Sequence, residues 1–134
     1  MSNQQATDIS LLLLRLAFGG LMIINHGWGK LEKLLGAGPI KFGDPIGLGA
    51  EVSLSLAVFS EVVCSALLVV GLFTRWASVP ALITMLVAAF VVHGGDPIGD
   101  RESALLFGTA YLVLLLMGPG RYSFDGWWGS RRMI

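Results

Sequence analysis

The feature that most constrains this chain is a set of four long apolar segments with little between them. A membrane-spanning helix needs roughly 20 mainly apolar residues, with about 17 to 25 the usual range. Residues 9–26 form one such segment, interrupted only by Arg15, and residues 52–73 a second, interrupted by Glu61. Residues 76–92 carry no charge, and residues 102–118 make a shorter fourth. Only Thr74 and Arg75 separate the second from the third, so those two form an antiparallel pair. The stretches "LLGAGPIKFGDPIGLGA" and "GGDPIGD" are rich in Gly and Pro and read as loops. Of the 134 residues, 54% are hydrophobic and 13% charged, more apolar side chain than a soluble domain of this size can bury. The expected fold is all-α and integral to the membrane. It is one domain over residues 1–134, a four-transmembrane-helix bundle in contact with lipid.

The opening "MSNQQATDIS" has neither a basic start nor a small-residue cleavage site. The first segment therefore reads as a retained helix rather than a removed signal peptide. Four crossings put both termini on one side. That side carries Arg75, Arg121, Arg131 and Arg132, with Arg15 just inside the first helix; the other carries Lys30, Lys33, Lys41 and Arg101. The slight bias places both termini in the cytoplasm. Trp127 and Trp128 suit an interfacial tail there. A formal net charge of zero gives no signal for nucleic acid. The single cysteine, Cys64, leaves no intrachain disulfide and no CxxC redox or zinc motif.

Charges inside spanning helices are costly and usually face protein or a water-filled cavity. Arg15, Gly19, Met22 and His26 share one helix face, which Lys30 continues if the helix runs on through the glycines. On the second helix Ser53, Ala57, Ser60, Glu61 and Cys64 make a small, polar stripe. From their helix ends Arg15 and Glu61 differ in depth by about 9 Å at 1.5 Å per residue, an offset two long side chains bridge. A buried Arg15–Glu61 ion pair that fixes packing and a proton site at Glu61 are equally compatible with this, and can coexist.

At the opposite end the first helix finishes at His26 and the third at His93, while the second starts near Glu51 and the fourth at Glu102. Asp96 and Asp100 lie nearby. Histidine exchanges protons near neutral pH, so His26, His93 and Glu102 are expected to share a polar pocket. Taken singly, each has a plainer reading. Carboxylates at helix starts complement the helix dipole, and a histidine at a helix end can be solvated. Imidazole and carboxylate also suit several metals, but the ExxH spacing of bundle di-metal sites is absent. Two histidines are too few for paired bis-histidine haem sites. Neither metal nor haem is expected.

Four segments follow one another along the chain: "LLRLAFGGLMIINHGWGKL", with an early Arg and an HGxxK end, then "EVVCSALLVVGLFTRWAS", "AAFVVHG" and "LLLMGPGRYSFD". In these, and along nearly its whole length, the chain resembles the DoxX family of small bacterial membrane proteins. The matching positions are Arg15, His26, Gly27, Lys30, Glu61, Gly71, Arg75, His93, Gly120, Arg121 and Asp125. The resemblance implies a four-helix protein of the bacterial inner membrane with a role near respiratory or redox chemistry. The related DoxD subunit belongs to thiosulfate:quinone oxidoreductase.

The leading expectation is thus a membrane subunit that handles quinone or quinol. His26, His93, Glu61 and Glu102 are the candidate catalytic groups, and Arg15, His26, Lys30 and His93 the candidate ligand-binding groups. The chain has no recognisable electron carrier, so a separate redox protein is the expected partner; a homo-oligomer is the other assembly considered. The alternatives are a non-catalytic anchor or assembly protein, and a protein that binds a small solute or metal through the outer cluster.

Overall fold

Ser2 starts the first helix earlier than its apolar run suggests. Its hydroxyl accepts from the Gln5 amide at 3.1 Å, and the Gln5 side chain accepts from the Ser2 amide at 2.8 Å. This reciprocal cap satisfies two of the donors a helix start leaves open. A computed structural model describes residues 1–129. It is all-helical, with α1 at Asn3–Leu35, α2 at Ala50–Val70, α3 at Thr74–Val92, α4 at Glu102–Met117 and a short α5 at Phe124–Gly129. Arg131 and Arg132, counted above for orientation, lie outside the described residues.

Among the described residues, α1, α2 and α3 are long and apolar enough to cross a membrane. The 16 residues of α4 span about 24 Å, short of the roughly 30 Å hydrocarbon core. Outward faces carry Leu13, Ile24, Trp76, Ile83, Phe90 and Leu116, an apolar exterior that only lipid or protein would cover.

The largest departure from expectation is the length of α1. It was expected to end at His26, but it continues to Leu35. Gly27 and Gly29 do not break it, because Gly27 keeps helical angles and packs directly on α2. Trp28 then donates to Glu32 one turn on, at 2.8 Å. At 33 residues α1 is about 50 Å long, and its last two turns pack beside the start of α2.

The helices pack in a ring: α1 on α2, α2 on α3, α3 on α4, and α4 back on α1. Their shared core includes Met22, Leu54, Leu68, Tyr111 and Leu114, all essentially without solvent contact. α2 ends in a Schellman turn. Gly71 takes φ 74°, and the Leu72 amide reaches back to the Leu67 carbonyl at 2.9 Å. α3 begins only three residues later, and its first free amides are capped from the other end of the chain. The Asp125 carboxylate accepts from Phe73 at 3.0 Å and from Thr74 at 2.9 Å.

Candidate functional site

Three of the polar residues singled out by the sequence, Arg15, His26 and Glu61, fall in widened, π-type turns. Such turns shift side-chain register within a helix and recur at functional sites. Arg15 and Glu61 are both buried, at 1% and 3% exposure, so each faces the bundle interior as expected.

They do not pair. Glu61 is bound by Lys30, whose Nζ lies 2.7 and 2.6 Å from its two carboxylate oxygens. The expected Arg15–Glu61 bridge fails on register. Gly27 abuts the Glu61 backbone, while Gly19 abuts Ser65 and Val69. Glu61 is therefore level with Gly27, about 18 Å along α1 from Arg15, twice the offset inferred from helix ends. Lys30, one turn beyond Gly27, becomes its partner because α1 does not stop at His26.

Arg15 instead serves the far end of the bundle. Its Nε donates to the Pro119 carbonyl at 3.0 Å, Nη1 to Val69 at 3.1 Å and Leu68 at 3.4 Å, and Nη2 to Tyr122. Leu68 and Val69 belong to the last turn of α2, whose carbonyls carry the negative end of the helix dipole; that of Leu68 also accepts from the Gly71 amide at 3.2 Å. Gly71 is pressed against this guanidinium; a Cβ there would lie 2.6 Å from Nη1. Asp8, also buried, accepts from the Arg121 amide at 3.0 Å. Arg15, Gly71, Arg121 and Asp125 thus form one knot that ties α1, α2, α3 and α5 together.

The expected polar pocket of His26, His93 and Glu102 does not form. The His26 ring packs edge-on against Phe107 of α4, centroid to centroid 5.5 Å. His93 contacts Asp96 through Nδ1 at 2.9 Å, within its own loop. Glu102 is exposed and borders a separate groove with Ile98, Leu105, Leu106 and Thr109. The reason is again the continued α1. His26 sits within the helix at the level of Phe107, about 7.5 Å along α4 from Glu102. Among the described residues no three His, Cys, Asp or Glu side chains converge on a common point.

Beside the Lys30–Glu61 pair lies a cleft of about 430 Å³ between α2, α3 and the loop after α1. Its walls are mainly apolar, with Phe42, Leu56, Phe59, Ile83 and Val92 among them. Leu56, Phe59 and Ile83 are also exposed on the lipid-facing side, so the cleft opens towards lipid. Its polar side chains are Lys30, Glu61, Ser53, Ser60 and Thr84. Ser60 and Thr84 both donate to the Pro80 carbonyl, at 3.1 and 2.9 Å, and Ser53 donates to Asp44 at 2.8 Å. Sequence reasoning had placed Ser53 and Ser60 on an inward stripe but passed over Pro80, Thr84 and Asp44. The available signals were a lone proline within an apolar helix followed by threonine four residues on, and the aspartate of the first "GDPIG".

These features define a small helical membrane protein in which a half-buried lysine pairs with a buried glutamate beside a lipid-facing cleft. The chain belongs to the DoxX family, whose model matches residues 10–94. It is also similar to an uncharacterised protein of Haemophilus influenzae, 32% identical over 111 residues, which cover 78% of this chain and 80% of the relative. No solved structure matches.

Proposed function

We propose that the protein is a quinone- or quinol-binding membrane subunit that works with a separate electron-carrying partner in the bacterial inner membrane. The observation that carries this reading is the cleft itself: apolar walls, an opening towards lipid, and a charged pair at its wall. A quinone head group is an apolar ring with oxygens at its edge. It needs such walls, a few polar groups to orient it, and a group that exchanges protons. Lys30 would face a ligand oxygen and Glu61 would exchange the proton, in place of the wider set of His26, His93 and Glu102. The proposed topology has four crossings with both termini cytoplasmic, and α4 as the short fourth span.

The test is extraction of the purified protein for bound quinone, followed by titration with a short-tailed quinone and its quinol. Binding by the natural chain, weakened at least tenfold in Lys30→Met, supports the reading. Absence of bound quinone together with no saturable binding of either form removes it. An anchor or assembly role would then be favoured, for which the Arg15 knot is the supporting observation, since it commits that guanidinium to backbone carbonyls.

A further inference from the structure

The hydroxyl groups of the cleft have a direction. A backbone carbonyl only accepts hydrogen bonds. Ser60 and Thr84 therefore both donate their single proton to Pro80, and present lone pairs to the cleft. Ser53 does the same against the Asp44 carboxylate. Both oxygens of the Glu61 carboxylate accept from Lys30, and a carboxylate has no proton to give. Pro80, set in the wall among these groups, has no N–H to offer. Among the described side chains that line the cleft, Lys30 is thus the sole hydrogen-bond donor. Two of its three protons point at Glu61, leaving one for a ligand.

We propose that the cleft selects the reduced, hydroxyl-bearing form of its ligand, a hydroquinone or similar phenol, over the corresponding quinone. This rests on the quinone-binding reading above and makes it directional. A quinol offers two O–H donors to a wall of acceptors, while one oxygen also accepts from Lys30. A quinone offers acceptors only, so among the lining side chains only Lys30 can satisfy one of its carbonyls, while Ser53, Ser60, Thr84 and Glu61 turn lone pairs towards it. Unmatched polar contacts of this kind are costly where water is scarce. The cleft would then hold quinol ahead of its two-electron oxidation by the separate electron-carrying partner, and would not retain the quinone that results.

The experiment uses the full chain in lipid nanodiscs without oxygen, titrated with decyl-substituted benzoquinol and benzoquinone. A second probe pair is 4-nonylphenol and its methyl ether. The quinol is expected to bind about tenfold or more tighter than the quinone, on the order of one to two hydrogen bonds. The phenol is expected to exceed its ether by roughly fivefold. Ser60→Ala and Thr84→Val, each close in shape to the natural residue, should weaken quinol binding and narrow its advantage over quinone. Equal affinity, or tighter binding of the quinone, overturns the selectivity while leaving quinone binding intact. Should neither quinone nor quinol bind, the functional reading falls, and the phenol pair decides the directional claim alone: no preference for the phenol overturns it.

Discussion

Gly27 of α1 lies against the backbone of Glu61 so closely that a methyl group added to it would fall 2.9 Å from the Glu61 carbonyl oxygen and 2.7 Å from a Val62 methyl. That contact sets the register of the two helices, and the register brings Lys30 to the Glu61 carboxylate. Gly27→Ala should force the helices apart at this level, at a cost of about 1–3 kcal/mol typical of overpacking. The measurements are thermal midpoint and ligand affinity. Both should fall, and an unchanged midpoint would show that α1 can shift without strain.

Removing one partner of the ion pair strands the other. Lys30→Met leaves Glu61 buried without a cation and should destabilise by about 3 kcal/mol. The double change Lys30→Met/Glu61→Gln should recover part of that loss, giving a coupling energy on the order of 1 kcal/mol or more. A double-mutant cycle in denaturant checks it, and strict additivity would argue that the pair is not formed in lipid.

Arg15 and Glu61 lie at different levels of the bundle, so their substitutions should be independent. Arg15→Gln and Glu61→Gln are expected to add within about 0.5 kcal/mol. Arg15→Lys should itself be damaging, by about 2 kcal/mol or more, although it keeps the charge. A compact ammonium cannot reproduce the fork that reaches four carbonyls. Retention of the natural midpoint in Arg15→Lys would mean that charge alone holds the knot.

Asp44 gives the loop end a dependence on acid. The Ser53 hydroxyl, followed by the Gly49 amide, holds its carboxyl below the usual range, with Leu48 also donating. A carboxyl depressed in the folded state contributes stability above its unfolded value of about 3.9, and that contribution is lost as pH falls through the folded value. The protection of the Leu48 and Gly49 amides, measured against the unstructured-chain rate at each pH, should therefore be present near neutrality and lost below about pH 4. In Asp44→Asn that protection should be lower at neutral pH and should not change further across the acid range.

Much of the scaffold was legible because lipid imposes a simple rule. Long apolar runs became helices α1 to α4 in the order expected, and Arg15 and Glu61 turned inward because burial in protein is the cheaper alternative to lipid for a charge. Helix ends were less legible. Asp125 caps α3 from some fifty residues away, and Ser2 extends α1 through a polar stretch with no apolar signal. The site was half visible. Lys30 had been placed on the face of Arg15 and His26 on the condition that the helix continued, and it does. Its pairing with Glu61 depended on which glycines touch α2, a fact of three-dimensional contact that no periodicity contains. The outer histidines were grouped by level alone, and level does not say that His26 packs on Phe107 while His93 turns to Asp96 in its own loop.

The knot around Arg15 also has an order in time. The guanidinium is synthesised more than a hundred residues before the carbonyls of Pro119 and Tyr122 that it binds. While the ribosome is still making α4, α1 and α2 can already lie in the bilayer with that charge only partly satisfied by Leu68 and Val69. At this stage Arg15, at the end of the bundle, is expected to keep reaching water along its long side chain until residues 119–125 arrive to bind it. Chains stalled before residue 119 should accordingly remain open to protease at the α2–α3 turn, and chains released after Asp125 should not. Membrane insertion would then be completed from the carboxyl end, by a segment that never crosses the membrane itself.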